Sequence, residues 1–181
     1  MAKNTYLFIC LLLYNIGISY AQPGNTGSTI IRHKVALTYA SQTGVRELTG
    51  NNDGKAVETY LRYCGLSKGE PWCASFVCWV YGQNNVLNPR SGYCPDLFKP
   101  KKIIWKRNSN RNATPLQGDV FGIYFPGKQR IAHTGFIDKW GTTQVYTVEG
   151  NTNQAGSREG DGVYCKIRLT RQIYAAARFI K

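Results

Sequence analysis

The sequence predicts an α+β fold, with N-terminal helices packed on an antiparallel β-sheet. Two observations carry this. Apolar residues recur at helical spacing from about residue 28 to residue 85. Beyond Pro115 the pattern changes to short alternating runs separated by Gly, Asn and Thr. Helices first and strands second is the order expected of a segregated α+β domain. A chain of 181 residues suits one such domain, and 43% hydrophobic residues are enough for a core.

Residues 1–21 stand apart. Lys3 gives a short positive region, "LFICLLL" an apolar one, and "SYA" the small residues that a signal peptidase reads. Cleavage before Gln22 is expected, with no membrane span left in the mature chain, because the apolar run is short and interrupted. Residues 22–43 form a polar lead-in and a first helix, in which Ile30, Ile31, Val35, Ala36, Tyr39 and Ala40 share spacing. "TGNNDG" is a loop whose Asp53 could cap the second helix. There Ala56, Val57, Tyr60, Leu61 and Cys64 share a face, and Gly65 ends it. Pro71 or Trp72 opens a third helix, "CASFVCWVY". Residues 86–115 read as irregular and basic, with no assigned role. Five strands follow: "GDVFGIYF", "RIAHTGFIDKW", "QVYTVEG", "VYCKIRL" and "AAARFI".

Charge and cysteines bound the function. The chain has 23 Lys and Arg against 10 Asp and Glu, a net +13 that favours a polyanionic partner. No nucleic-acid motif accompanies that charge, so no nucleic-acid partner is expected. Cys10 leaves with the signal. Cys64, Cys73, Cys78, Cys94 and Cys165 remain, an odd number in a chain expected to be secreted or periplasmic. At least one thiol therefore stays out of intramolecular pairing. Four could pair in any of three connectivities.

Cys73 and Cys78 both lie in "GEPWCASFVCWVY", but their positions differ. Cys73 falls at a helix start, where unpaired N–H groups and the helix dipole favour a thiolate. Cys78 falls in the helix body and suits burial or a disulfide. A nucleophilic cysteine needs a base. His33 sits among basic residues of the first helix and reads as solvated. That leaves His133, in a strand. A third group must orient the imidazole. "VEGNTN" offers Glu149 and Asn151, two apart and so on one face of a strand.

These stretches resemble the CHAP family, cysteine- and histidine-dependent amidohydrolases and peptidases that cut bacterial peptidoglycan. "PWCASFVCWVY" is similar to the family's active-site helix start, and "GVRELTGNNDGKAVETYLRYCGL" to the segment leading into it. "TPLQGDVFGIY" is similar to its proline–glycine–aspartate motif, "AHTGFI" to its histidine strand and "VEGNTN" to its acid–x–asparagine strand end. The resemblance runs over about residues 44–180, so residues 44–181 are expected to be the catalytic domain. Ala132 stands where glycine is common, and Thr134 where valine is common.

The resemblance implies a papain-like fold and the catalytic residues Cys73 (nucleophile), His133 (base), Glu149 (orienting the imidazole) and Asn151 (assisting it or touching substrate). It implies hydrolysis of stem-peptide amides, as an N-acetylmuramoyl-L-alanine amidase or as an endopeptidase. No metal or other cofactor is expected, and the protein is expected to be a monomer. The alternative is a non-catalytic, basic wall-binding module on the same fold.

Overall fold

The computed structural model describes residues 26–110, 112–155 and 160–181. The expected signal segment, residues 1–21, lies outside them. Three helices come first: α1 (Thr26–Ser41), α2 (Lys55–Tyr63) and α3 (Cys73–Gln83). Six strands follow: β1 (Ile103–Lys106), β2 (Val120–Phe125), β3 (Arg130–Trp140), β4 (Gln144–Thr152), β5 (Gly162–Leu169) and β6 (Ala175–Ala177). They form one antiparallel sheet in the order β1-β6-β2-β3-β4-β5. No described helix is long and apolar enough to cross a membrane.

Three expectations change. The stretch 86–115 is not wholly irregular, since it carries β1 and a short 3-10 helix, Cys94–Phe98. β1 is an edge strand of four residues flanked by lysines, too short to show alternation. The last strand stops at Ala177, because Arg178 turns aside to fork onto Asp119. Asp53 does not cap α2. Gly54 holds the cap position, and Asp53 instead accepts hydrogen bonds from the Thr49 N–H and hydroxyl, closing the preceding loop. Gly65 does end α2, in the left-handed conformation at φ 71°.

α3 is buried along nearly its whole length and rests on β3 and β4. Its Phe76 and Tyr81 meet Phe136 of β3 edge-on. Such aromatic pairs are worth about 0.5–1.5 kcal/mol each beyond the area they bury. Gly150 permits this approach. A Cβ there would lie 2.6 Å from the Trp72 ring and 2.9 Å from Phe76. α1 belongs to the same core through Val35 and Tyr39. Arg32 ties it to buried Asp119 at 3.0 Å, and the Tyr39 hydroxyl donates to Asp138 at 2.6 Å.

Candidate active site

Cys73 is the first residue of α3 and is 5% exposed. At this position its N–H has no acceptor within the helix and points off the helix start. Trp72, just before it, is pinned twice. Its indole N–H donates to Glu47 at 2.8 Å, and its backbone N–H donates to the Asn151 side-chain oxygen at 3.2 Å. The position of Cys73 is therefore set by the strand end of β4 as well as by its own helix.

His133 comes from β3 and Glu149 from β4, adjacent strands of the sheet. Both are buried, and His133 Nε2 lies 2.8 Å from Glu149 Oε2. A carboxylate only accepts, so Nε2 carries the proton in this bond. Nδ1 is buried and makes no hydrogen bond of ordinary length among the described residues. It is the nitrogen left for the Cys73 sulfur.

The electrostatics agree with that pairing. The Cys73 thiol is held well below its usual pKa by hydrogen bonding from Cys94, then by His133 and the Thr134 backbone N–H, against the cost of burial. Burial by itself would push the His133 imidazole down, but its interactions with Cys73 and Glu149 prevail and raise it to about 9. Burial also opposes the Glu149 carboxylate. Arg168 and His133 outweigh it and lower Glu149 to about 2. These shifts favour a thiolate on Cys73, a protonated His133 and an ionised Glu149.

Arg168 carries no signal in the sequence beyond a charge in an alternating strand. It donates through Nε to Glu149 Oε1 at 2.8 Å and through Nη2 to Oε2 at 2.5 Å. Thr147 adds a hydroxyl bond to Oε1 at 2.6 Å. Glu149 thus has its own support before it supports His133.

Asn151 is placed differently from the expectation. Its φ of 53° breaks the strand alternation, and the register of β4 on β5 slips between Glu149 and Thr152. Glu149 and Asn151 therefore do not share a face. Among the described residues Asn151 bonds to Trp72, Asn52, Gly160 and Glu47, and not to His133. It positions Trp72 and the start of α3. His33 is exposed on α1.

The cysteines also differ from the expected division. Cys73 is not set apart from the others, since its sulfur lies 3.5 Å from that of Cys94. Cys64 and Cys78 neighbour each other in turn, and the contact with Cys64, together with burial, pushes the Cys78 thiol up. Cys165 lies on the sheet beside Thr43, 3.7 Å from its hydroxyl.

Two cavities flank Pro71. One, of about 470 Å³, contains Cys73 and Cys94 and is rimmed by Arg90, Lys128 and Arg130. The other, of about 660 Å³, is lined by Glu47, Asn52, Asn151 and Asp161.

Comparisons with family models, with curated proteins and with solved structures find no match to this chain.

Proposed function

We propose that this protein is an exported cysteine hydrolase of the CHAP kind, with a papain-like arrangement, that cleaves amide bonds in peptidoglycan stem peptides. The observation that carries the reading is Cys73 at a helix start beside His133, whose far nitrogen is held by Glu149 at 2.8 Å. Nucleophile, base and orienting acid in that order are what acyl transfer by a thiol requires.

The Cys73 thiolate attacks the amide carbonyl carbon. The oxyanion that develops accepts from the Cys73 backbone N–H at the helix start. His133 gives its Nδ1 proton to the leaving amine, and a thioester remains. Neutral His133 then takes a proton from water, whose oxygen attacks the thioester and frees Cys73. Glu149 keeps the ring oriented through both steps. The cationic rim of Arg90, Lys128 and Arg130 favours an anionic substrate. The same charge makes capture of a wall polymer sensitive to salt.

Loss of turbidity of purified sacculi tests this, with the soluble products resolved by mass spectrometry. Release of intact stem peptides marks an amidase, and shortened peptides mark an endopeptidase. Cys73→Ala and His133→Ala should each abolish solubilisation, while Cys78→Ala should not. Full activity in Cys73→Ala would sink the mechanism.

A further inference from the structure

We propose that Cys73 and Cys94 form a reversible disulfide that switches the hydrolase off under peroxide and protects its nucleophile. The proposal rests on Cys73 being the nucleophile of the function above. Their sulfurs are 3.5 Å apart, and a bond at ~2.05 Å requires a closure of only about 1.5 Å.

The contact is built by the chain, not left by chance. Cys94 arrives on the segment that leaves α3 and folds back over it. Gly92 lets that segment close, since a Cβ there would sit 2.3 Å from Leu66 and 3.2 Å from the Ser75 hydroxyl. The Ser91 hydroxyl donates to Asp96 at 2.7 Å and accepts from the Tyr93 N–H at 3.0 Å, fixing the turn that delivers Cys94. Cys78 donates to the Ser91 carbonyl at 3.5 Å and anchors the same turn to α3. Both cysteines line the cavity of about 470 Å³, which is large enough for a molecule as small as hydrogen peroxide.

The two thiols are also unequal, as an attacking and a resolving cysteine should be. The Cys73 thiol is lowered by its contacts with Cys94 and His133, and the Cys94 thiol is raised by the neighbouring Cys73 sulfur and by burial. The Cys73 thiolate attacks a peroxide oxygen and breaks the O–O bond. This yields a sulfenic acid, and the other oxygen leaves as water after taking a proton. The Cys94 sulfur then attacks the Cys73 sulfur and displaces hydroxide, which takes the Cys94 proton and leaves as a second water. Peroxide is reduced and the two thiols are oxidised. A dithiol reductant reverses the step by attacking the Cys94 sulfur. That attack expels the Cys73 thiolate, the better leaving group because its pKa is low.

The purified chain is reduced with dithiothreitol, freed of it, treated with hydrogen peroxide, alkylated and mapped by mass spectrometry. Sacculus hydrolysis is followed in parallel. A linked Cys73–Cys94 peptide should dominate. Hydrolysis should fall at least about tenfold, and dithiothreitol should restore both. In Cys94→Ser the same treatment should drive Cys73 to sulfinic acid, which dithiothreitol does not rescue. Sulfinic Cys73 without a link in the unmutated chain would overturn the proposal. So would Cys94 linked to a different cysteine, or hydrolysis undiminished in the linked form. A reduced chain with no hydrolysis would count against the proposed function alone, because the linked peptide and its reversal are read without any activity.

Discussion

Arg168 forks onto Glu149 through Nε and Nη2, at 2.8 and 2.5 Å, and so shares Oε2 with His133. The guanidinium holds the carboxylate in one orientation and draws off part of its charge. The pull of Glu149 on the His133 proton is correspondingly moderated. Arg168 is a positioning residue that acts on the imidazole at one remove.

Replacing Arg168 by Gln should therefore do three things. Hydrolysis should drop about 10–100-fold, because the supporting partner of a catalytic group is lost. The alkaline limb of the pH–rate profile should move up, since the full charge of Glu149 then acts on His133. Stability should fall by about 3–5 kcal/mol, as expected when one partner of a buried pair is removed. A pH–rate profile together with a urea titration reads all three. An alkaline limb that stays in place would remove Arg168 from the catalytic account and leave it a purely structural role.

The expected pH profile of the unmutated protein follows from the pairing of Cys73 with His133. Activity requires Cys73 deprotonated and His133 protonated. It should rise on the acid side where Cys73 ionises, well below the usual thiol range, and fall where His133 loses its proton near 9. The two limbs belong to the coupled pair. Measuring kcat/KM against pH checks this. An acid limb near an ordinary thiol pKa of ~8.5 would mean that Cys73 is not paired in this way.

Acid stability should depend on Glu149. Its folded pKa, about 2, lies below its unfolded value near ~4.3, so its contribution is complete above the unfolded value. That contribution is lost as the pH falls from there through 2. Glu149→Gln should be less stable at neutral pH and show a flatter dependence between those limits. Urea midpoints across that range decide the matter, and parallel slopes for the two proteins would contradict it.

Asn151 separates backbone from side-chain effects. Asn151→Gly accepts the φ of 53° but loses the bond to the Trp72 N–H, at a cost of about 1–2 kcal/mol. Asn151→Ala loses the same bond and adds about 1–2 kcal/mol of left-handed strain. Both should lower kcat through a looser α3 start, with Ala the less stable. Thermal melts check the order, and an Asn151→Ala protein as stable as the Asn151→Gly one would show that the left-handed backbone there carries no strain.

Gly150→Ala tests the seat of the helix. A methyl 2.6 Å from Trp72 and 2.9 Å from Phe76 must push α3 away from β4. The expected loss is about 1–3 kcal/mol, with a marked fall in hydrolysis because Cys73 moves from His133. Unchanged activity in a folded Gly150→Ala protein would show that the helix seat does not set the Cys73–His133 distance.

What the sequence by itself determined is local. The helices are legible because apolar residues recur at helical spacing in residues 28–85, and β2 to β5 because alternation survives after Pro115. The helix start at Cys73 follows from Pro71 and Trp72, His133 came forward as the histidine left once His33 reads as solvated, and Glu149 came forward from the strand end that resembles the family's. Tertiary structure decided everything that depends on which strands lie side by side. The distance from His133 to Glu149 follows from the pairing of β3 with β4, and the fork of Arg168 from the pairing of β4 with β5. The turn of Asn151 away from Glu149 follows from a positive φ that no periodicity encodes. The Cys73–Cys94 contact spans 21 residues and is closed by a fold-back at Gly92. Periodicity reports one face of one element. Contacts between elements are set by how those faces pack, and the second thiol beside Cys73 emerges only there.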